Sequence, residues 1–332
     1  MRQKKSQVTS AFDVQNLTQQ EIVEDTQMSE KPLEKMLDRD LSIVMAKEEI
    51  TLTSEALPKV INYSTKLCSR CFPSTPKPSD VAIIVSYMHI IEMVDAIEVL
   101  VSSACVNPAK LQLRSAFEGF LNLQYLIKDD TERRADVYFY FHAGEKLAAY
   151  LKYLSYKQEF ADRRDGIRSA SIYSEDMLPP LDFSGTETLV SELSIALSDV
   201  KYKSIMSELF VLGKRHLKWY QLYNGPKNLR ELSRYLNCEM EYDLIYGYLS
   251  KTVHASNLLS RFTSTHDKEM LFLPLRETSE VNSIKELSIT ILLRATKEMI
   301  NYFREDEYDS FAMWYASEIR VPLMKHRIEK AK

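Results

Sequence analysis

Apolar side chains recur every three or four residues along most of this chain, the spacing of one face of an α-helix. Sustained alternation of apolar and polar residues, the pattern of a half-buried strand, does not occur in the sequence. Helical periodicity begins near Leu33, and capping residues and prolines bound the later segments. We predict helices at about 58–69, 80–104, from 107 onwards, 131–157, 186–199, 201–213, 228–236, 240–254, 281–304 and 308–330. The predicted fold class is all-α, a multi-helix domain with a bundle-like arrangement.

Two stretches lack the helical pattern and bear on domain organisation. Residues 1–30 are polar and rich in Gln, Glu, Ser and Thr, so we predict a mobile, disordered tail there. Residues 161–185 contain two glycines and two adjacent prolines, and they predict a long irregular connection. The prediction is one helical domain over residues 31–332, with residues 161–185 as the place where it could subdivide.

The glycine content argues against a nucleotide-binding α/β enzyme. The chain has 7 glycines in 332 residues, and none of them cluster into a dinucleotide-binding fingerprint or a phosphate-binding loop. Both motifs need closely spaced glycines so that the backbone can approach a phosphate. The formal net charge of −4 gives no global attraction to nucleic acid or to an anionic membrane.

No segment predicts a membrane span or a secretion signal. The longest apolar stretch, residues 81–101, is interrupted by four polar or charged side chains: His89, Glu92, Asp95 and Glu98. Residues 1–20 contain basic residues but no apolar core, so they do not form a signal peptide. Four cysteines are too few for a disulfide framework in a chain of this length. The expected location is cytoplasmic, with no membrane partner.

The first candidate site is a pair of charged residues on a predicted helix. Arg114 and Glu118 are four residues apart, so they lie on one helix face among apolar neighbours such as Phe117 and Leu121. One interpretation is a semi-buried ion pair that fixes helix packing. The other is functional: Glu118 orients Arg114, whose planar guanidinium would bind a phosphate or a carboxylate.

The second candidate site is a row of polar residues near the end of a later predicted helix. Tyr246, Ser250 and His254 are each four residues apart. The negative end of the helix dipole favours a protonated histidine, and a hydroxyl one turn back could fix its tautomer. The alternative is a core histidine hydrogen-bonded to Ser250. Serine hydrolysis ranks low, because no nucleophile elbow or oxyanion-hole glycines accompany Ser250.

The third feature is the most cationic region of the chain, where basic residues are interleaved with aromatic ones. The residues predicted there to bind nucleic acid are Lys214, Arg215, Lys218, Trp219, Lys227, Arg230 and Arg234. Basic and stacking side chains together suit a single-stranded nucleic acid. The alternative is a solvated helix face that Trp219 anchors to the core.

Patterns for metal binding are weak. Cys68 and Cys71 have the spacing of half a zinc site, but no second Cys or His pair stands at a matching distance. Two histidine–carboxylate pairs lie on neighbouring predicted helices: His89 with Glu92, and His142 with Glu145. Their order is the reverse of the one that di-metal bundles use. A metal-dependent bundle enzyme is therefore the faintest alternative, and we predict no metal and no cofactor.

Three elements together resemble a known family: Arg114-x2-Phe117-Glu118, Trp219 to Gly225, and Tyr246-x3-Ser250-x3-His254. Over about residues 80–260 the chain is similar to a bacterial all-helical family of unknown function. Members of that family share an Arg-x3-Phe-Glu-type helix and a later Tyr-x3-Ser-x2-Val-His element, and the first element is one residue shorter here. The resemblance implies a shared site rather than a particular activity.

A looser similarity is to the HEPN superfamily, helical proteins that include metal-independent RNases of toxin and phage-defence systems. Their signature is Arg-x4–6-His on one helix, and two such spacings occur here, Arg261-x4-His266 and Arg320-x5-His326. The chain departs from that signature because the stronger candidates, Arg114 and His254, lie on different predicted helices. The resemblance implies RNA cleavage without a metal.

The leading hypothesis is a bacterial effector that cleaves single-stranded RNA without a metal. In this hypothesis His254 is the general acid and base, and Arg114 stabilises the charge that develops on phosphorus. Glu118 orients Arg114, while Ser250 and Tyr246 position the imidazole or a phosphate oxygen. The rival hypothesis is a non-catalytic scaffold or sensor, in which both polar rows only hold helices together. A homodimer is the assembly that we expect.

Overall fold

The computed structural model describes residues 39–50, 55–169, 182–213, 217–247, 262–264, 270–272 and 275–324. The chain separates into two compact units, residues 1–40 and residues 41–332. Only Arg39 and Asp40 of the first unit are described, so the architecture below is that of the second. The tail predicted over residues 1–30 lies outside the described residues.

The fold is all-α, as predicted. Its α-helices are α1 (Arg39–Ile50), α2 (Ala56–Arg70), α3 (Pro78–Ser102), α4 (Val106–Lys128), α5 (Thr131–Ser155), α6 (Lys157–Ser169), α7 (Ser184–Leu197), α8 (Lys203–Leu212), α9 (Leu229–Tyr235), α10 (Glu239–Glu241), α11 (Val281–Phe303) and α12 (Tyr308–Trp314). Short 3-10 helices lie at Val200–Tyr202, Trp219–Gln221 and Glu305–Glu307, and π-helices at Tyr242–Gly247 and Tyr315–Arg320. A small antiparallel pair, β1 (Phe262–Ser264) and β2 (Met270–Phe272), aligns Phe262 with Phe272.

The hydrophobic core forms where α11 packs against α2, α3 and α4. The buried side of α4 follows its sequence periodicity, and Leu113, Phe117 and Phe120 are fully enclosed. Full burial of an apolar side chain of this size contributes roughly 1.5–3 kcal/mol to stability. The adjoining side of α4 carries Arg114 and Glu118 at the edge of the core, so packing of the apolar side fixes the direction in which these two residues point.

A polar network crosses this core. The hydroxyl of Thr296 on α11 lies 2.8 Å from the hydroxyl of Ser64 on α2 and 2.8 Å from that of Tyr87 on α3. Thr296 also donates to the carbonyl of Leu292 one turn earlier. Burial raises the pKa of Tyr87 far above its usual value, so its hydroxyl stays neutral. The network satisfies buried hydroxyls and ties three helices to one another.

The apolar stretch at residues 81–101 forms most of α3. Ile90, Val94 and Ile97 are fully buried, whereas Glu92 and Asp95 are exposed. Two of the charged residues that interrupt the stretch, Glu92 and Asp95, therefore lie on the solvent side of a core helix. Among the helices that the structure describes, none combines the length and apolar character required to cross a bilayer.

The connection predicted at residues 161–185 is shorter than expected, because α6 continues to Ser169. Two pairs of polar side chains, four residues apart, stabilise this exposed helix: Glu159 with Arg163, and Gln158 with Asp162. Gly166 faces open space and is tolerated at the modest cost of a glycine in a helix. Residues 170–181 lie outside the described ranges, and α7 begins at Ser184.

Candidate functional site

Arg114, Glu118 and Tyr246 meet in one cluster, although Tyr246 is distant from the other two in sequence. Arg114 Nε donates to Glu118 Oε1 at 3.0 Å, and Arg114 Nη2 donates to the Tyr246 hydroxyl at 2.6 Å. The Arg114 side chain is 15% exposed and that of Glu118 is 41% exposed. The guanidinium is thus held in one orientation at the edge of the core, with its carboxylate partner facing solvent.

A π-helix brings Tyr246 to Arg114. The chain turns from α10 directly into the π-helix Tyr242–Gly247, and such wider turns are rare and frequently occur at functional sites. Tyr242 stacks on Tyr246 with 5.0 Å between ring centroids and an interplanar angle of 18°. The guanidinium carbon of Arg114 lies 4.0 Å from the centroid of the Tyr246 ring, close enough for a cation–π contact.

One nitrogen of the Arg114 fork remains unused. Arg114 Nη1 is buried and has no hydrogen-bond partner among the residues that the structure describes. A buried donor without a partner costs about 1–3 kcal/mol, and more when it is charged. The arrangement can therefore offer a fixed, positively charged donor to an anion or to another group of the chain.

Tyr220 is the member of this cluster that the sequence analysis did not assign. It is buried, and that burial, together with the nearby Glu118 carboxylate and the Tyr246 and Tyr242 hydroxyls, raises the pKa of Tyr220 to about 12. Its hydroxyl therefore stays protonated even in moderately alkaline solution and remains able to donate a hydrogen bond. The available signal was its position inside the element Trp219 to Gly225, which contributed to the family resemblance.

The remaining proposed catalytic residues, Ser250 and His254, lie outside the described residues. The predicted helix over residues 240–254 is described as far as Gly247, where it is α-helical and then π-helical. The spacing that relates Tyr246, Ser250 and His254 thus stays a prediction. Arg114, Glu118 and Tyr246 are the part of the predicted site that the structure brings together.

The residues predicted to bind nucleic acid differ in their exposure to solvent. Lys214 and Arg215 lie outside the described residues, and Lys218 and Lys227 are exposed. Trp219 is buried, with its ring centroid 5.3 Å from those of both Tyr125 and Tyr138. Its packing matches the alternative interpretation, in which Trp219 anchors this segment to the core.

Two arginines of the cationic segment are paired with carboxylates that follow it in the sequence. Arg234 Nη2 lies 2.7 Å from Glu239 Oε1, and Arg230 Nη2 lies 3.3 Å from Asp243 Oδ1. A hydrogen bond from Arg234 lowers the pKa of Glu239, which keeps this carboxylate ionised. The local excess of positive charge is therefore smaller than the sequence of the segment indicates.

The candidate metal ligands do not come together within the described part of the chain, where no group of three or more His, Cys, Asp or Glu could hold an ion. His89 Nε2 lies 3.1 Å from the Ser115 hydroxyl, and His142 Nδ1 lies 3.6 Å from Glu145 Oε2. Burial lowers the pKa of His142. The thiols of Cys68 and Cys71 are free, and burial raises the pKa of Cys71 to about 12, which disfavours the thiolate that a metal needs.

The model of a protein family of unknown function, DUF5677, matches residues 80–270, more than half of the chain. The chain belongs to the DUF5677 family. The DUF5677 region includes α4 with Arg114 and Glu118, and it extends past Tyr246, Ser250 and His254. It also contains the whole Trp219 to Gly225 element, so all three elements of the predicted resemblance fall within the DUF5677 match. No curated protein and no solved structure matches the chain.

Proposed function

We propose that this DUF5677 protein cleaves single-stranded RNA without a metal, with Arg114 stabilising the negative charge that develops on the phosphate. The observation that carries the proposal is the fixed guanidinium, whose buried Nη1 has no hydrogen-bond partner among the residues that the structure describes. Two of its nitrogens are held by Glu118 and Tyr246, so the remaining donor is oriented before a phosphate arrives. A preorganised donor of this kind stabilises charge without reorganisation during the reaction.

A single histidine can serve as both the base and the acid of this reaction. His254 removes the proton from a ribose 2′-hydroxyl, and the oxygen attacks the adjacent phosphorus. A bond forms between O2′ and phosphorus, and the bond from phosphorus to O5′ breaks. The protonated His254 then returns the proton to O5′. The products are a 2′,3′-cyclic phosphate and a 5′-hydroxyl end, and Ser250 positions the imidazole.

The cellular setting belongs to the same proposal. We infer a bacterial, cytoplasmic effector of the toxin or phage-defence type, for which RNA inside the cell is the target. Support for a homodimer comes from large apolar side chains that are more than two-thirds exposed on and beside α7 and α8: Ile195, Val200, Phe210 and Val211. Exposed apolar groups of this size are common at protein interfaces.

The proposal is tested with labelled single-stranded RNA in an excess of chelator. Wild-type protein should produce cyclic-phosphate ends. Arg114→Lys should lower the rate about 100-fold, because an ammonium cannot reproduce the fork that Glu118 and Tyr246 hold. His254→Ala should abolish cleavage. Arg70→Lys is the matched control, because Arg70 pairs with Glu307 at 2.8 Å outside this cluster, and it should retain full activity.

Circular dichroism must show that all four proteins are equally folded. Equal rates for Arg114→Lys and wild type would remove Arg114 from the mechanism. No cleavage by folded wild-type protein would overturn the proposal and favour its rival, the scaffold or sensor.

One observation favours that rival. Both Nε and Nη2 of Arg114 are already bonded within the protein, and the side chain is only 15% exposed, as expected for an ion pair that fastens α4 to the π-helix. In that case Arg114→Met should lower stability and have no other effect, and the loss should be modest because the Glu118 carboxylate left behind is 41% exposed to solvent. Chemical denaturation of Arg114→Met beside the RNA assay separates the two functions.

A further inference from the structure

A cleft of about 590 Å³ lies where the end of α4, the start of α5 and α9 meet the loop that follows Trp219–Gln221. Its wall combines three aromatic rings with three cationic side chains: Tyr125, Tyr223, Tyr235, Arg134, Lys227 and Arg234. Glu231 is the one carboxylate in the lining. A cleft of this size accommodates a small ligand, and the exposed Lys227 offers a cation to an anionic one.

The loop that forms one side of the cleft has an unusual backbone. Tyr223 and Asn224 both adopt positive φ angles, +54° and +59°, and such a conformation is uncommon for a tyrosine. Gly225 follows, and a Cβ at that position would collide with the Tyr220 carbonyl and lie 2.9 Å from the Tyr125 hydroxyl. Residues held in sparsely populated conformations cluster at ligand sites. The loop therefore presents the Tyr223 ring in a fixed position.

The polar groups of the cleft are only partly satisfied by the protein. The Tyr223 hydroxyl is buried and has no hydrogen-bond partner within the described ranges. Lys227 is exposed, and its backbone N–H, rather than its ammonium, contacts Glu231. Two arginines by contrast are committed to structure. Arg134 stacks 3.8 Å from the Tyr125 ring centroid and donates to the Tyr125 carbonyl, and Arg234 pairs with Glu239 at 2.7 Å.

We propose that this cleft binds a nucleoside phosphate, with the base against the Tyr223 and Tyr235 rings and the phosphate at the exposed Lys227. An apolar ligand would leave the Lys227 ammonium without a counter-charge, and inorganic phosphate alone would leave the rings without a stacking partner. Stacking on tyrosine and contact with a cation are the two interactions by which proteins hold a single nucleotide unit. The unit can be a free nucleotide or one residue of an RNA strand, and the cleft does not depend on cleavage at Arg114.

Isothermal titration calorimetry with three probes tests the proposal: adenosine 5′-monophosphate, inorganic phosphate and a pentamer of oligoadenylate. Lys227→Glu should weaken binding of the monophosphate at least about tenfold, because it replaces an attraction with a repulsion. Lys203→Glu is the matched control, since Lys203 is equally exposed on α8 but does not line the cleft. It should bind like wild type.

Tyr223→Asn tests the stacking separately. Asparagine tolerates a positive φ, so the loop should keep its backbone while the ring is lost. Affinity for adenosine monophosphate should fall about tenfold, with affinity for inorganic phosphate unchanged. Circular dichroism of each variant confirms its fold.

If the monophosphate saturates the cleft and the pentamer binds with no higher affinity, the ligand is a free nucleotide. If the pentamer binds much more tightly than the monophosphate, the ligand is an RNA strand. The proposal is overturned if neither probe binds wild-type protein, if inorganic phosphate binds as tightly as the monophosphate, or if Lys227→Glu binds normally. The titrations are repeated with His254→Ala, which should not cleave RNA. Unchanged affinity in this variant would show that binding at the cleft is independent of cleavage.

Discussion

Lys285 is a residue with an unusual environment. Its side chain is fully buried on α11, and its Nζ has no hydrogen-bond partner among the residues described. Burial lowers the pKa of Lys285, and the negative charge of Glu98 only partly opposes that effect. A buried ammonium without a partner costs about 1–3 kcal/mol or more, so this position weakens the fold.

Lys285→Met should therefore raise the free energy of unfolding at pH 7 by roughly 1–3 kcal/mol. The folded pKa lies below the unfolded value of 10.5, so between these two values the unfolded chain binds more protons. Wild-type stability should accordingly rise with pH across that window, and the variant should lose this rise. Urea titrations at several pH values measure both effects, with exposed Lys203→Met as the control. A less stable Lys285→Met would contradict the interpretation.

Thr296 is the residue at which three helices share one polar contact. Thr296→Val removes one hydrogen-bond partner from each of the Ser64 and Tyr87 hydroxyls while keeping the shape of the side chain. We expect a loss of about 1–3 kcal/mol, because these buried hydroxyls would lose part of their hydrogen bonding. Thr290→Val on the exposed side of the same helix is the control and should change stability by less than about 0.5 kcal/mol. Denaturant unfolding of the two variants compares them directly.

At the scale of elements, the helices were predictable because their apolar residues recur at helical spacing over many turns. The predicted segments at 58–69 and 281–304 correspond closely to α2 and α11. The short strands Phe262–Ser264 and Met270–Phe272 were missed, because three residues are too few to establish alternation. The π-helix Tyr242–Gly247 was also missed, since its residues satisfy an α-helical pattern equally well.

The same reasoning explains what could be predicted about the site. Spacing along α4 was enough to place Arg114 and Glu118 on one face, because local geometry decides it. Contact between Arg114 and Tyr246 depends on tertiary packing of α4 against the π-helix, which no local pattern encodes. The sequence analysis also overlooked that Arg230 and Arg234 pair with acidic residues further along the chain, because those contacts depend on how the chain folds back beyond α9.

Two glycines in different elements should respond to alanine in opposite ways. Gly225→Ala should destabilise the fold by more than about 2 kcal/mol, because its new methyl group meets the Tyr220 carbonyl, and backbone cannot yield cheaply. Gly144→Ala within α5 should stabilise it by about 0.5–1 kcal/mol, because the site is open and alanine favours a helix. Thermal unfolding of both variants tests the contrast, and similar melting temperatures would contradict it.

For the whole molecule, the exposed apolar side chains near α8 predict self-association. Phe210 is 88% exposed and Val211 is 79% exposed, so replacing both with serine should leave the stability of the monomer nearly unchanged. If these residues form a homodimer interface, the double variant should sediment as a monomer at concentrations where wild type sediments as a dimer. Identical sedimentation of the two proteins would exclude this surface as the interface.

One helix connects the two places where we expect RNA to be held. Arg114 and Tyr125 both lie on α4, eleven positions apart, which corresponds to about three turns and about 16 Å along the axis. Because α4 is packed into the core, this separation is rigid. If an RNA strand occupied the cleft and also reached Arg114, the fixed spacing along α4 would set the distance between the bound base and the cleaved bond. Cuts would then fall at a constant number of nucleotides from the bound base, so sequencing the product ends would reveal the distance between the cleft and Arg114.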